Sequence, residues 1–137
     1  MKATLDHVGI AVRNLDEALG FFRETLGLEL ETSEDVASHG VRVHFMRAGS
    51  GWLELLEPIG SSSPIAAFLE KRGPGMHHLA LRVEDIRATL AELRTRGVRL
   101  IDEEPRRGAR GALIAFLHPS STAGVLVELT ETPRSML

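Results

Sequence analysis

Two short apolar alternations recur along the chain. Residues 7–12 read HVGIAV and residues 78–83 read HLALRV, an offset of 71 positions (78 − 7). Val8, Ile10 and Val12 share one face of the first run, and Leu79, Leu81 and Val83 share one face of the second. A period of two predicts a strand with one face packed under other structure. The opposite face of each run begins with a histidine, His7 or His78, and continues with small residues, Gly9 and Ala11 or Ala80. Small side chains beside a histidine leave room for a ligand.

The period then lengthens in both copies. Leu15, Ala18, Leu19, Phe22 and Leu26 fall at helical spacing, and Ile86, Leu90 and Leu93 take the matching places in the second copy. Asn14 with Glu17 three residues on predicts the first helix start. Gly27 and Gly97 predict where the two helices stop. Strand-like runs follow at 28–32, 41–47 and 52–57, and again at 98–102, 112–117 and 124–130. Each half therefore reads β-α-β-β-β, about 4–58 and about 75–131, within a single domain spanning 1–137. The joint carries a short helix within about 63–73, started by Ser63 as N-cap with Pro64 behind it and ended at Gly73-Pro74-Gly75. One such half cannot cover both faces of its sheet, so two are expected to pack together.

The closing strands repeat too. Leu53-Glu54-Leu55 matches Val127-Glu128-Leu129. Alternation sets Glu54 against the face of Leu53 and Leu55, and Glu128 against the face of Val125, Val127 and Leu129. An ionised carboxylate in such a strand is costly unless it is paired, hydrogen-bonded or bound to a cation. Each half thus offers one histidine and one glutamate: His7 with Glu54, and His78 with Glu128. Brought together by a two-fold relation, two neutral imidazoles and two carboxylates would balance a 2+ charge and suit Co, Ni, Fe, Mn or Zn. A lone strand histidine is ordinarily a hydrogen-bonded core residue, and a lone strand glutamate a solvated one. The recurrence of both in register favours a metal site. The expected class is α+β: two tandem β-α-β-β-β modules forming a curved mixed sheet around that site, with helices on the outer face.

Composition narrows the function classes. The chain has 137 residues and a net charge of −3, which argues against a nucleic-acid partner held by phosphate neutralisation. Cysteine is absent, so disulfides, thiolate metal sites and cysteine nucleophiles are excluded. No apolar run approaches the ~18 residues of a membrane span. The opening MKATLDHVGIAV has no secretory h-region, so a cytoplasmic location is expected.

The other polar candidates carry plainer readings. His77 should point away from His78 and serve structure, and His39 lies in a loop. His118 precedes Pro119 at a strand end and is either a turn cap or a pocket residue. His44 lies mid-strand on the face opposite Val43. Ser62 and Ser63 suit capping, not nucleophilic attack. Arg106, Arg107 and Arg110, in EEPRRGARG, are either a solvated loop or an anchor for a phosphate-bearing substrate.

DHVGIAV (6–12), LELLEP (53–58), SPIAAFLEKRG (63–73), GMHHLALRV (75–83), DEEPRRGARG (102–111), FLHP (116–119) and GVLVEL (124–129) together resemble the vicinal oxygen chelate superfamily. Within it, the chain resembles the methylmalonyl-CoA epimerases, over roughly residues 4–131. The resemblance implies paired modules around one divalent metal, cobalt first, with manganese, nickel or zinc as alternatives. It implies His7, Glu54, His78 and Glu128 as ligands; some members carry Gln in place of Glu54. It implies a CoA thioester as substrate and a homodimer as the assembly.

The implied reaction removes and returns the proton between a carboxylate and a thioester. Inversion needs a base on one face and an acid on the other. Glu128 is the first candidate. Some members place a second glutamate where this chain has Val43, which cannot carry a proton. Glu54 is therefore expected to be the partner of Glu128. Two other readings compete: a glyoxalase I-like lyase using the same ligands, and a metal-free small-molecule binding protein.

Overall fold

The computed structural model describes residues 2–133. The chain divides into two compact units, His7–His77 and a second formed by the stretch up to Asp6 with the chain from His78 onward.

The His7–His77 unit contains most of β1 (Thr4–Ala11), then α1 (Leu15–Leu19), β2 (Glu29–Val36), β3 (Val41–Ala48), β4 (Gly51–Pro58) and α2 (Pro64–Arg72). Its strands lie in the order β2-β3-β4-β1. β1 runs parallel to β4, and the remaining neighbours are antiparallel. The helix-side core consists of Val12, Leu19, Met46 and Leu55, with Ile10, Leu15, Phe22, Leu30 and Leu53 packed against it. These are the aliphatic positions of the alternation, so the period-two pattern chose the buried face.

The second unit holds most of β5 (Gly75–Arg82), then α3 (Ile86–Thr95), β6 (Arg106–Arg107), β7 (Leu113–Leu117) and β8 (Val127–Glu131). The strand order is β5-β8-β7-β6, with β5 parallel to β8. Val83, Ile86, Leu90, Ala115, Leu117, Val127 and Leu129 form its core. Both units thus mix parallel and antiparallel strands with a helix on one face, and the chain is α+β as expected.

The helix signals hold locally. The Asn14 side chain accepts the amide of Glu17 at 3.3 Å, and Ser63 accepts that of Ile65 at 3.1 Å. Gly27 and Gly97 both follow their helices at positive φ, +79° and +80°.

Several boundaries differ from the pattern, β2 for one running to Val36 where the pattern ends at 32. The first helix continues past Leu19 as a π-helix, Gly20–Thr25, in which the Leu26 amide reaches Phe21 and the Thr25 hydroxyl donates to the Gly20 carbonyl. The wider turn rotates Leu26 off the apolar face, and it is 57% exposed. The expected strand at 98–102 is reduced to a bridge between Leu100 and Leu117. Here the Asp102 carboxylate takes the Phe116 amide at 2.8 Å and ends the ladder. The two-residue β6 forms further on, at Arg106–Arg107. Finally, the last strand starts at Val127 instead of 124. Gly124, at φ +89°, and the Thr122 hydroxyl, bonded to the Val125 carbonyl, hold the preceding residues in a turn. Val125 is consequently exposed and outside the strand.

Candidate functional site

In the His7–His77 unit, β1 and β4 set Gly9 opposite Glu54 and Trp52 opposite His7. On the other side of β4, Phe45 stands opposite Glu54. Gly9 has no side chain, so the Glu54 carboxylate can swing toward β1. It lies 2.9 Å from His7, Nδ1 to Oε2. Both residues are buried, at 6% and 8% exposure.

The second unit repeats the arrangement. β5 and β8 set Ala80 opposite Glu128, and β7 sets Phe116 opposite Glu128. His78 Nε2 is 3.8 Å from Glu128 Oε2, and both are buried. The His78 ring meets Phe116 edge to face, 5.6 Å between centroids. Each unit therefore brings its predicted histidine and glutamate together, beside a small residue on one neighbouring strand and a phenylalanine on the other.

Such a donor set fits a divalent transition metal. Imidazole nitrogens and carboxylate oxygens are borderline-to-hard ligands. A carboxylate buried beside an imidazole also gains more from a cation than an exposed one, because little water competes. His7 and Glu54 in one unit, and His78 and Glu128 in the other, are the residues that could hold the ion.

The remaining histidines are structural. His77 packs edge-on against Phe68 of α2, 5.0 Å between centroids. Burial, helped by the charge of Arg72, holds its imidazole below the usual histidine range. His118 caps the turn at Pro119–Ser121, its Nδ1 accepting the Ser120 amide at 3.0 Å. His39 ends a short turn, Ala37–His39. Among the arginines, Arg106 pairs with Asp102 at 3.0 Å, and Arg107 donates to the Gly111 carbonyl at 2.7 Å. Both close their own loop, and Arg110 sits at φ +58° within it.

His44 lies on the helix face, opposite Leu55 in register. It is buried, with Nε2 2.6 Å from Glu57 and Nδ1 2.6 Å from Ser33. A carboxylate only accepts, so Nε2 carries a proton, and Nδ1 shares a hydrogen bond with the Ser33 hydroxyl. The imidazole is committed on both sides, away from the face of Glu54.

Sequence reasoning missed two glutamates with a shared task. Glu57 accepts the Leu15 amide at the start of α1, and Glu131 accepts the Ile86 amide at the start of α3. Each stands three residues after the site glutamate of its strand. An odd spacing on a strand reverses the face, so one strand supplies a carboxylate to each side. The motifs ELLEP and VELTE contain that spacing in plain view. Trp52 and Arg47 stand on the same face as Glu54, and no motif in the sequence singles them out.

Comparison with known proteins follows the same lines. The family model described as Glyoxalase/Bleomycin resistance protein/Dioxygenase superfamily matches residues 6–116. The mitochondrial methylmalonyl-CoA epimerase of Bos taurus is 42% identical over 128 residues, 93% of this chain and 73% of that protein. The ethylmalonyl-CoA/methylmalonyl-CoA epimerase of Cereibacter sphaeroides is 44% identical over 133 residues, 96% of this chain and 99% of that one. Among solved structures, a methylmalonyl-CoA epimerase in complex with methylmalonyl-CoA and NH4+ superposes with a TM-score of 0.91 at 38% identity, covering 98% of this chain and 97% of that one.

Proposed function

Since this chain belongs to the glyoxalase/bleomycin resistance protein/dioxygenase superfamily, we propose that it interconverts the two epimers of methylmalonyl-CoA. The observation that carries the reading is the buried histidine–glutamate pair repeated in both units, in a chain 42% and 44% identical to epimerases over nearly its whole length.

The four residues His7, Glu54, His78 and Glu128 would hold one divalent metal, cobalt by family resemblance. When bound, the ion supplies Lewis-acid polarisation of a thioester carbonyl. The proton work falls to the protein. Glu128 is assigned to take the proton from the carbon between carboxylate and thioester. Glu54 is assigned to return one from the opposite face, because inversion requires donors on both sides. Val43 supports this assignment, since it lies on the face of Glu54 and offers no proton. His44 supports it too, because both of its ring nitrogens are engaged on the other face.

The test is deuterium incorporation at the α-carbon of methylmalonyl-CoA in heavy water, with metal-stripped protein and with cobalt restored. Metal-dependent exchange coupled to inversion is the expected result. Absence of exchange with every divalent metal, together with turnover of a glutathione hemithioacetal, would move the assignment to a glyoxalase-like lyase.

A further inference from the structure

We propose that Trp52 and Arg47 form the contact surface for the CoA arm of the thioester, an inference that rests on the epimerase reading above. His7 is opposite Trp52 across β1 and β4, and Trp52 is opposite Arg47 across β4 and β3. The three side chains therefore form one row on one face of the sheet. The row starts at a residue assigned to the metal and spans two strand spacings, about 10 Å.

Burial along that face locates its open end. Ala11, Val43, Phe45, Glu54 and Leu56 are buried, whereas Trp52 is half-buried and Arg47 exposed. Beyond them lie the exposed Gly49 and Ser50 of the β3–β4 turn. Trp52 and Arg47 thus give the face an open side toward which a substrate with its reactive end at His7 can extend.

The row is also held in place. The Trp52 ring meets Phe45 edge to face, 6.4 Å between centroids at 85°. The Arg47 guanidinium carbon sits 4.1 Å from the centre of the indole. Arg47 reaches Glu31 only through Nε, at 3.4 Å and between exposed groups, a contact worth little. Its two terminal nitrogens have no hydrogen bond among the described residues and can donate to a ligand. A pantetheine arm presents methylenes interrupted by amide carbonyls, then phosphates. An indole packs against the methylenes. A guanidinium donates to carbonyl or phosphate oxygens.

The experiment compares methylmalonyl thioesters of CoA, pantetheine and ethanethiol, using metal-loaded wild type, Trp52→Ala, Trp52→Phe and Arg47→Gln. Trp52→Ala is expected to raise KM for the CoA and pantetheine thioesters roughly tenfold, with kcat little changed and no effect on the ethanethiol thioester. Trp52→Phe should recover most of the loss. Arg47→Gln should raise KM for both long substrates if it binds an amide, and for the CoA thioester alone if it binds a phosphate. An equal loss on the ethanethiol thioester would overturn the proposal, as would no loss on any substrate.

Trp52 is the one tryptophan in the chain, so its fluorescence gives a readout independent of turnover. If wild type turns over none of the thioesters, the epimerase reading fails, and titration with CoA then decides the contact. Quenching that Arg47→Gln weakens supports it, and unchanged fluorescence overturns it.

Discussion

The carboxylate of Glu57 accepts the backbone amide of Leu15 at 3.3 Å, and Glu131 does the same for Ile86 at 2.9 Å. Both amides belong to the first residue of a helix, where the backbone has no partner of its own and the helix end is partly positive. Strand β4 or β8 thus supplies one glutamate to the candidate site and another to the helix behind it. Glu131→Ala should therefore lower stability by about 0.5–2 kcal/mol, the usual range for losing a helix cap. Metal affinity should stay unchanged. Denaturant unfolding and a cobalt titration on the same variant check both halves of the expectation. A weakened metal with unaltered stability would reverse the assignment of faces.

Glu57 carries an additional partner, His44, at 2.6 Å. The matching position in the second unit is Ala115, opposite Leu129 as His44 is opposite Leu55. Removing the Glu57 carboxylate leaves a buried imidazole N–H with no acceptor there, so Glu57→Leu should cost more than Glu131→Leu, by about 1–3 kcal/mol. The double variant Glu57→Leu with His44→Val should recover much of the difference, because both polar partners are then gone. Equal costs for the two single variants would show that the His44 bond contributes nothing measurable.

The division between what was legible in the sequence and what was not follows from range. His7, Glu54, His78 and Glu128 could be picked out because strand alternation is local and the two copies confirm one another. Asn14, Ser63, Gly27 and Gly97 were legible because capping acts within a few residues. The loss of the 98–102 strand was hidden, since it depends on Asp102 reaching Phe116, 14 residues away. The π-helical turn at Gly20–Thr25 was hidden for a different reason: it exchanges one backbone partner for the next along, with little trace in composition. His44 showed its face but not its partners, which come from two other strands.

Gly40 makes a prediction about stability alone. It sits at φ +63°, and an added Cβ would lie 3.1 Å from the Cβ of Ser63 and 3.2 Å from its Cα. Ser63 is the buried cap of α2, so it cannot retreat without losing the Ile65 amide. Backbone strain and crowding therefore act together. Gly40→Ala should destabilise the fold by about 1–3 kcal/mol, read from the shift of the denaturant midpoint at constant slope. A neutral result would mean that the turn before β3 adjusts without disturbing the cap.

The assignment of Glu54 and Glu128 makes the sharpest prediction about chemistry. Glutamine keeps an oxygen for a metal but cannot carry the proton. If both glutamates are ligands and proton carriers, Glu54→Gln and Glu128→Gln should each retain most bound cobalt and lose at least about a hundredfold in epimerisation, in the range expected for removing a general acid or base. The two losses should differ in kind when exchange is followed from each epimer separately. Without the acid on one face, proton removal by the surviving base can still wash deuterium into one epimer while inversion stops. Without that base, the same epimer should neither exchange nor invert. Full inversion by Glu54→Gln would leave Glu54 as a ligand only and place the second proton on another group of the same face. Loss of cobalt in either variant would mean that the carboxylate charge, and not merely its oxygen, holds the ion.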